Sequence, residues 1–586
     1  MANLPEGVTI SQLSTNLSCA RSEYTKAHQR AKRIDALDRN KLWEAIQAKF
    51  PKYQLLPQTN HVSYIKNHIL ASIYTVGKSA QLQFTSEQDK DIVQNLNIAL
   101  EHIWRTRRVA YYQLQAGERA ALLNLGITQV GWDNSIITGK DVTFEKGQVV
   151  LKNIDPLKYY RDPYAADLDT AQYVVTWDDY HESVIKANPN YAAEFKKYTD
   201  AKKAGVAVDG ILLKTDKVSP SSSGKPGYHR IYVWYVRVDD HISEIHMINN
   251  EFPLFVREKI QPNMFPFAEL YCNLPSGDLL GTSEPAKVAD NSIVYNIMNS
   301  IISTSEYKNQ RPPRFISRSS GINVLAFTKH GNDADRTFVV DGDASKAVHY
   351  HQYPTPSNQA INTMGMLQSD IQLVTGIDGK YTGRDTGSVT TTGGVDSILD
   401  QATLIDATKI ALYEDYSEKL SKLIIYNYIA NSAIKRNYLV ESAPKRYRTV
   451  TVDFPDIPED IVFDYEINIS SELPKNKARV AAMADAMIEK QMQYSGAGID
   501  VDLITPQEWL MMQDLPNKEY FQERMGIQRT QNWQEIVAQA VTQYASLIEN
   551  GMDSADAITA TASTLEQQST PQGVNMEQVA QNANLF

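Results

Sequence analysis

The residues that most resemble a catalytic motif are Val76-Gly77-Lys78-Ser79, which pair a lysine with a hydroxyl as nucleotide-binding loops do. Such a loop also needs another glycine five residues before Gly77, so that the backbone can wrap around the phosphates. That position is Ser72. The preceding residues 61–74 have the pattern of a helix, whereas a nucleotide-binding loop follows a strand. We therefore expect no nucleotide binding at Lys78.

Two short segments carry residues that could bind a metal ion. His349 and His351 flank one residue, so both imidazoles would lie on one face of a strand. No set of cysteine or glutamate residues completes a zinc site around them. Asp341-Gly342-Asp343 resembles a fragment of a calcium loop without its remaining ligands. We expect surface histidines and a turn, and we predict no metal site.

No group of residues in the sequence forms a pattern for covalent or acid–base catalysis. A Gly-x-Ser-x-Gly elbow is absent. The carboxylate pairs at 178–179 and 239–240 lie at apparent strand ends, where solvated turns are expected. Cys19 and Cys272 are far apart and lack metal-ligand spacing, which is typical of free buried thiols in a reducing cytoplasm. We predict that the protein is not an enzyme and uses no cofactor.

The charge balance limits how the chain could interact with nucleic acid. Its formal net charge is −11 and its isoelectric point is near 5.6. Proteins that hold a duplex tightly are usually basic, because neutralising phosphates supplies most of the affinity. An acidic surface instead repels phosphates, which suits a protein that must let DNA slide past. Tight binding is therefore disfavoured, whereas a sliding contact is not.

Length and hydropathy indicate a large protein of several units without a membrane span. A chain of 586 residues is too long for one core, so we expect three or four structural units. No apolar run reaches the ~18 residues of a membrane helix. Residues 20–125 have helical periodicity. From residue 127 to about 260, apolar and polar residues alternate with the period of two that is typical of β-strands, except for a helical pattern at 180–205.

Residues 284–309 form the most informative helical pattern. Their apolar positions make one stripe: Val294, Ile297, Met298, Ile301 and Ile302. The other faces carry uncharged polar residues: Asn291, Asn296, Asn299 and Ser303. A solvated helix would normally carry lysine and glutamate at such positions. We therefore expect this helix to pack between neighbouring subunits.

A second helix returns after a small module. Pro312 and Pro313 end the first helix, and residues 314–355 have the pattern of a small β-containing unit. A helix over residues 357–375 follows, with a short heptad seam at Ala360, Met364, Leu367, Ile371 and Val374. The sequence thus predicts two helices on either side of a small β-module.

A long polar loop and a long helix come next. Residues 376–394 are nearly all Gly, Thr, Ser and Asp, so they cannot bury a core and form an exposed loop. Lys380 and Arg384 are the cations of this loop. Residues 395–437 then have one continuous helical pattern, ~60 Å long at 1.5 Å per residue. Strands at 448–454 and 461–470 and further helices from residue 477 complete the pattern.

In several places, and in the same order, the chain resembles the portal proteins of tailed bacteriophages. Residues 155–175 resemble a segment of the portal wing, and residues 463–487 resemble the strand–Leu-Pro–helix entry to the C-terminal region. The most specific stretch is 263–316. It contains a Pro-Phe strand, the turn Gly281-Thr282-Ser283, a helix with Tyr295-Asn296 and Ser300, and Pro313.

The resemblance implies an α+β, mainly α-helical portal fold. Its expected parts are an N-terminal wing at 1–283, a first stem helix at 284–310, a clip at 311–355, a second stem helix at 356–376, a tunnel loop at 377–394, a long wing helix with strands at 395–474, and a helical crown with a low-complexity tail at 475–586. The glutamine-rich tail has no clear counterpart in the family.

The resemblance also implies a function. The chain would form a dodecameric ring at one capsid vertex, through which double-stranded DNA is packaged and ejected. Its expected partners are the terminase large subunit, the capsid and scaffolding proteins, and head–tail adaptor or tail proteins. It would be assembled in the host cytoplasm and belong to the virion. An adaptor or a minor capsid component is the alternative.

Particular residues receive roles in this hypothesis. Lys380 and Arg384 would face DNA from the tunnel loop, although they could equally just keep a loop soluble. Arg314 and Arg318 would lie on the clip surface. The expected stem positions for subunit packing are Asn291, Asn296, Asn299, Ser303, Met364 and Leu367.

Overall fold

The computed structural model describes residues 4–52, 54–74, 80–84, 90–138, 145–204, 226–275, 280–331, 333, 337–377, 392–432, 435–443, 446–457, 463–466, 483–491 and 509. The chain divides into two compact units, one of residues 1–438 and 450–473 and one of residues 439–449 and 474–586. In the second unit residues 483–491 are helical, and Trp509 Nε1 donates a 2.8 Å hydrogen bond to Asp485 Oδ1. All contacts below lie in the first unit.

Helices recur along the first unit between residues 10 and 431. Their bounds are α1 Ile10–Asp38, α2 Leu42–Ile46, α3 His61–Ser72, α4 Lys90–Thr106, α5 Val109–Leu123, α6 Glu182–Ala187, α7 Ala192–Ala204, α8 Glu284–Gln310, α9 Val324–His330, α10 Ala344–Ala347, α11 Asn358–Thr375 and α12 Thr392–Asn431. No helix in the described part of the chain is both long and apolar enough to cross a membrane.

The strands form several small antiparallel sheets. Their bounds are β1 Gln81–Phe84, β2 Leu125–Thr138, β3 Glu145–Ile154, β4 Tyr159–Arg161, β5 Tyr173–His181, β6 Tyr228–Val238, β7 His241–Ile248, β8 Phe252–Arg257, β9 Phe267–Tyr271, β10 Arg314–Ile316, β11 Val348–Tyr350, β12 Arg436–Ala443, β13 Arg446–Val452 and β14 Phe463–Glu466. One sheet has the order β4-β5-β6-β7-β8, another has the order β3-β2-β9, and the pairs β1-β14 and β10-β11 stand apart. Helices and strands are thus mixed, as the α+β prediction requires.

The main core lies between the five-stranded sheet and the first helix. One face of α1 presents apolar residues at helical spacing to this core, among them Leu13, Leu17 and Tyr24. On the sheet side Trp234 is fully buried, and its Nε1 donates a 3.0 Å hydrogen bond to Asn250 Oδ1. Burying a large ring in this way stabilises the fold once its polar atom has a partner. The core therefore fixes α1 on the five-stranded sheet.

A buried ion pair joins the two larger sheets. Arg161 of β4 donates a 2.6 Å hydrogen bond to Glu269 of β9, and the Tyr159 hydroxyl donates another of 2.6 Å to the same carboxylate. Burial by itself would lower the pKa of Arg161, but the Glu269 carboxylate raises it, so the guanidinium stays charged. Removing one partner of such a pair leaves an uncompensated buried charge. The pair thus holds the sheets in one register.

The structure corrects three boundaries that periodicity predicted. Residues 81–84 form β1 within the region expected to be helical, because they pair with β14 far along the chain. The helix expected at 180–205 begins as the end of β5 and continues as two helices, since Pro189 follows α6. The long helix, α12, ends at Asn431 instead of residue 437. At this end the Asn431 side-chain amide donates a 3.2 Å hydrogen bond to the Gln261 carbonyl.

Candidate functional site

Two helices, α8 and α11, form a hairpin with a small module between them. Ser283 caps α8, its hydroxyl accepting a hydrogen bond from the Ala286 N–H, and Ser357 caps α11 in the same way. At the module end β10 and β11 pair antiparallel. At the other end Glu284 and Gly376 line one small cavity, so the two helices run in opposite directions along each other. Residues 284–310 and 358–375 thus form a helix–module–helix unit, with bounds close to those that the sequence predicts.

Buried charges fix the base of this hairpin. Glu284 and Lys409, which belong to α8 and α12, are 7% and 6% exposed, and their charged atoms lie 3.9 Å apart. Lys409 also lies 3.5 Å from Asp406, and Lys287 lies 3.1 Å from Glu284. Buried charges of opposite sign must compensate each other, since desolvation penalises each of them. The start of the hairpin is therefore held on the middle of the long helix.

A buried thiol lies close to these charges. Cys272 is fully buried, and burial raises the pKa of its thiol to about 11. A thiol with such a pKa is almost wholly protonated at neutral pH and is therefore a poor nucleophile. Both cysteines are free, as predicted, although Cys19 is only half-buried. Cys272 acts as an apolar core residue beside the hairpin.

A stripe of small polar residues runs along one face of α8. Ser292, Asn296, Ser300 and Thr304 follow one another at intervals of four residues, and all four are buried. The surface that covers them belongs to the same chain. Residues 54–60, which we call the strap, run along this stripe without regular secondary structure and lead into α3.

The side chains of the polar stripe satisfy the backbone of the strap. Asn296 accepts a 2.6 Å hydrogen bond from the Thr59 N–H and donates one of 3.0 Å to the Thr59 carbonyl. Thr304 accepts a 3.0 Å hydrogen bond from the Leu55 N–H, and Ser300 donates to the Leu55 carbonyl. Such bonds replace those that a neighbouring β-strand would provide. The stripe therefore binds mainly the backbone of the strap, with one further hydrogen bond from the Gln54 side chain to Ser300 at 2.9 Å.

This arrangement corrects one residue of the predicted packing surface. Asn296 is 2% exposed, and its amide bonds to Thr59 and to the Ser292 carbonyl of its own helix. It is therefore not available to a neighbouring subunit. Asn291, Asn299 and Ser303 are half-exposed, so their predicted role stays a prediction. Uncharged residues on a helix indicated packing, but they did not indicate which part of the chain packs there.

The second helix of the hairpin has one covered side and one open side. Met364 and Leu367 are half-buried on the stripe that also contains the buried Ile371, and this stripe lies along α8. Much of the remaining surface is apolar and open: Ile361 is 53% exposed, Met366 67%, Leu373 81% and Val374 47%. Sequence periodicity marked the covered stripe and missed this open face, which we call the outer face of α11.

The module between the helices is a small folded unit. Arg314 stacks over the Phe327 ring at 5.4 Å, so this side chain is partly used within the module, whereas Arg318 is exposed. Asp343 caps α10 by accepting from the Ser345 N–H at 3.0 Å, and Gly342 has a φ of +92°. The Asp-Gly-Asp segment is thus a turn, as expected.

The two histidines of the module lie beside an aromatic ring. His349 and His351 have ring centroids 6.4 and 6.3 Å from that of Phe315. Among the described residues, no group of three His, Cys, Asp or Glu side chains could hold a metal ion. The contacts seen here are therefore ring packing on the surface of the module.

The carboxylate pair at 178–179 takes part in ion pairs. Burial by itself would raise the pKa of Asp178, but hydrogen bonds from Lys152 and Lys158 lower it. Asp179 accepts a 2.8 Å hydrogen bond from Arg230. A general base needs a pKa near the working pH, whereas ion pairing keeps the Asp178 carboxylate ionised. These groups stabilise the five-stranded sheet.

Several predicted features fall outside the part of the chain that the structure describes. They are the phosphate-loop motif at 76–79, Lys380 and Arg384 of the expected tunnel loop, and most of the region after residue 466. The described residues before the motif, His61–Ser72, form helix α3, as the sequence indicated.

One protein family matches a large part of the chain. Residues 80–413, more than half of the chain, match the family of the Phage SU10 portal protein. A search of curated proteins gave no match. The chain therefore belongs to the Phage SU10 portal protein family. It is accordingly a bacteriophage portal protein, a structural and non-enzymatic component of the virion's head–tail connector.

Proposed function

We propose that this portal protein assembles into a closed, dodecameric ring whose central channel conducts double-stranded DNA during packaging and ejection. The observation that carries the proposal is the outer face of α11. This helix has eighteen residues with one charged side chain, Asp370, and large apolar residues on its open side. Monomeric proteins rarely expose such a surface unless it binds something.

A neighbouring copy of the chain is the proposed occupant of that face. Head-to-tail contacts between identical subunits form a closed ring when a whole number of subunits completes one full rotation. In such a ring the outer face of α11 packs on the half-exposed side of α8 in the next subunit. That side carries Val294 and Ile301. The hairpins then form the wall of the channel, and the wings project outwards.

The charge of the chain supports sliding of DNA over tight binding. A net charge of −11 per chain gives the ring a large negative charge. Phosphates are repelled by such a surface, which lets the duplex move without strong contacts. Lys380 and Arg384 would supply two rings of positive charge where the tunnel loops approach the duplex. Any contact there is to the phosphate backbone and independent of sequence.

The remaining parts of the hairpin and wing are proposed to bind the other components of the virion. The clip, with Arg318 exposed on it, would bind the terminase large subunit during packaging and an adaptor or tail protein afterwards. The wing would contact the major capsid and scaffolding proteins. The assembly would form in the host cytoplasm.

The channel role predicts a specific defect for charge reversal in the loop. Lys380→Glu together with Arg384→Glu would place negative charge against the phosphates, so packaging or retention of DNA should fall while rings still form. The defect should become smaller at higher ionic strength, because salt screens the repulsion. The measurement is the ratio of filled to empty heads in virions assembled with the variant and with the wild type. Equal filling and retention with normal rings would contradict a charge role for the loop.

A further inference from the structure

The turn between α4 and α5 carries a dense group of cations. Residues 105–108 read Arg-Thr-Arg-Arg, so three guanidinium groups occur within four residues of a chain whose net charge is −11. Arg105 and Arg108 are exposed, and Arg107 is half-buried. Bringing like charges together is unfavourable unless an anion compensates them. Three neighbouring positive charges in this turn therefore suggest that it binds an anion.

None of these arginines forms an ion pair with a residue that the structure describes, and Nε of Arg107 is buried without a hydrogen-bond partner. The nearest acidic residue along the helix is Glu101, one turn before Arg105. Glu118 of α5 lies 3.4 Å from Lys66 instead. Several other arginines of the unit form ion pairs: Arg33 pairs with Asp290, Arg39 and Arg119 with Asp35, Arg230 with Asp179, and Arg257 with Glu244.

The position of one guanidinium is fixed by an aromatic ring. Arg108 has a left-handed backbone, with φ 54° and ψ 39°, and its guanidinium lies 5.0 Å from the centroid of the Tyr111 ring. Tyr111 is itself 46% exposed. Stacking on a ring restricts the guanidinium while leaving its N–H groups able to bind an acceptor. This arginine is therefore positioned before any ligand arrives.

The start of α5 adds to the positive potential. Arg108 is the N-cap of this fifteen-residue helix and forms no side-chain capping bond. The first N–H groups of a helix lack partners within it, and they carry partial positive charge. The two effects act at the same place, since the arginines immediately precede the helix.

We propose that the Arg105–Arg108 turn binds the phosphate backbone of duplex DNA, outside the channel and without sequence preference. The charge of the turn favours DNA as its ligand, because duplex DNA presents closely spaced negative charges and neutralising them supplies most of the affinity of a basic surface. Three arginines beside one exposed ring fit a row of phosphates. The inference rests on the proposed function for the presence of DNA, but it concerns a separate surface.

The test uses assembled full-length protein and covalently closed, relaxed plasmid DNA, which cannot thread through a closed ring. Binding is measured by filter retention over a series of salt concentrations. The variant combines Arg105→Gln, Arg107→Gln and Arg108→Asn, since asparagine tolerates a left-handed backbone. Its affinity should fall on the order of tenfold, and the slope of log affinity against log salt should decrease by about 2–3.

A matched control removes the same number of charges elsewhere. The control variant combines Lys196→Gln, Lys197→Gln and Lys202→Gln, which change exposed positions of α7. It should leave the affinity for plasmid DNA and the salt slope almost unchanged. The proposal would be overturned if the arginine variant bound plasmid DNA as tightly as the wild type, or if the lysine variant lost as much affinity as the arginine variant. Imaging the same samples separates this result from the proposed function, because normal rings with unchanged plasmid binding refute only the Arg105–Arg108 site.

Discussion

Replacing Asn296 and Ser300 by alanine is expected to release the strap from α8. Four hydrogen bonds between α8 and the strap are lost: two between Asn296 and Thr59, one from Ser300 to the Leu55 carbonyl, and one from Gln54 to Ser300. A hydrogen bond of this kind contributes about 1 kcal/mol, so the free energy of unfolding should fall by about 2–4 kcal/mol. Native-state hydrogen exchange at the Thr59 amide should become roughly tenfold faster or more.

The control for this experiment lies on the same helix. Asn299→Ala removes the same side chain from a half-exposed position whose partner is the Ser303 hydroxyl, at 3.2 Å. It should leave exchange at Thr59 unchanged. Equal protection of the Thr59 amide in the double variant and the wild type would show that the polar stripe does not hold the strap.

The strap shows why part of this site was not predictable from the sequence. The absence of charge on residues 291–305 correctly indicated that the helix packs against something. The strap itself has no helical or strand period, because its backbone bonds to side chains more than two hundred positions later, as in Thr59 to Asn296. Local patterns do not contain such pairings. The sequence therefore suggested a neighbouring subunit, whereas Asn296 packs inside its own chain.

Introducing glutamate on the outer face of α11 is expected to prevent ring assembly. Met366→Glu and Leu373→Glu change two residues that are 67% and 81% exposed in the single chain. Folding of the chain should therefore be almost unaffected. In a ring the two carboxylates would be buried at every subunit contact, and the penalty is several kcal/mol for each unpaired ion. Native mass spectrometry at micromolar concentration should show mainly monomers and small oligomers.

Exposed apolar residues elsewhere provide the matched control. Val184→Glu and Leu274→Glu make the same chemical change at residues that are 54% and 65% exposed but lie outside the hairpin. Rings should form normally with these substitutions. Normal rings from the Met366 and Leu373 variant would mean that the outer face of α11 is not a subunit contact.

The outer face illustrates a second limit of sequence patterns. The heptad spacing placed Val374 in the seam, yet Val374 is 47% exposed and Thr375 is buried instead. An α-helix has 3.6 residues per turn, so a seam defined by a 3.5-residue repeat drifts around a straight helix. The existence and approximate bounds of α8, α11 and the β10–β11 pair were predictable, because periodicity and prolines are local signals. The covered side of each helix depends on distant residues.

The five-stranded sheet was easier to predict than the hairpin contacts. The alternation in residues 229–240 indicated a strand, and β6 occupies the centre of the five-stranded sheet. The ion pair between Arg161 and Glu269 was not foreseen, since its members are far apart in the sequence and each alone resembles a surface charge.

Electron microscopy of the purified full-length protein tests the central claim most directly. If the protein is a ring-forming portal, end-on class averages should show closed rings of identical subunits around an opening wide enough for duplex DNA. The hairpins of α8 and α11 should line the wall of that opening. Particles that remain monomeric at micromolar concentration, or rings without a central opening, would contradict the proposal that this chain forms a DNA channel.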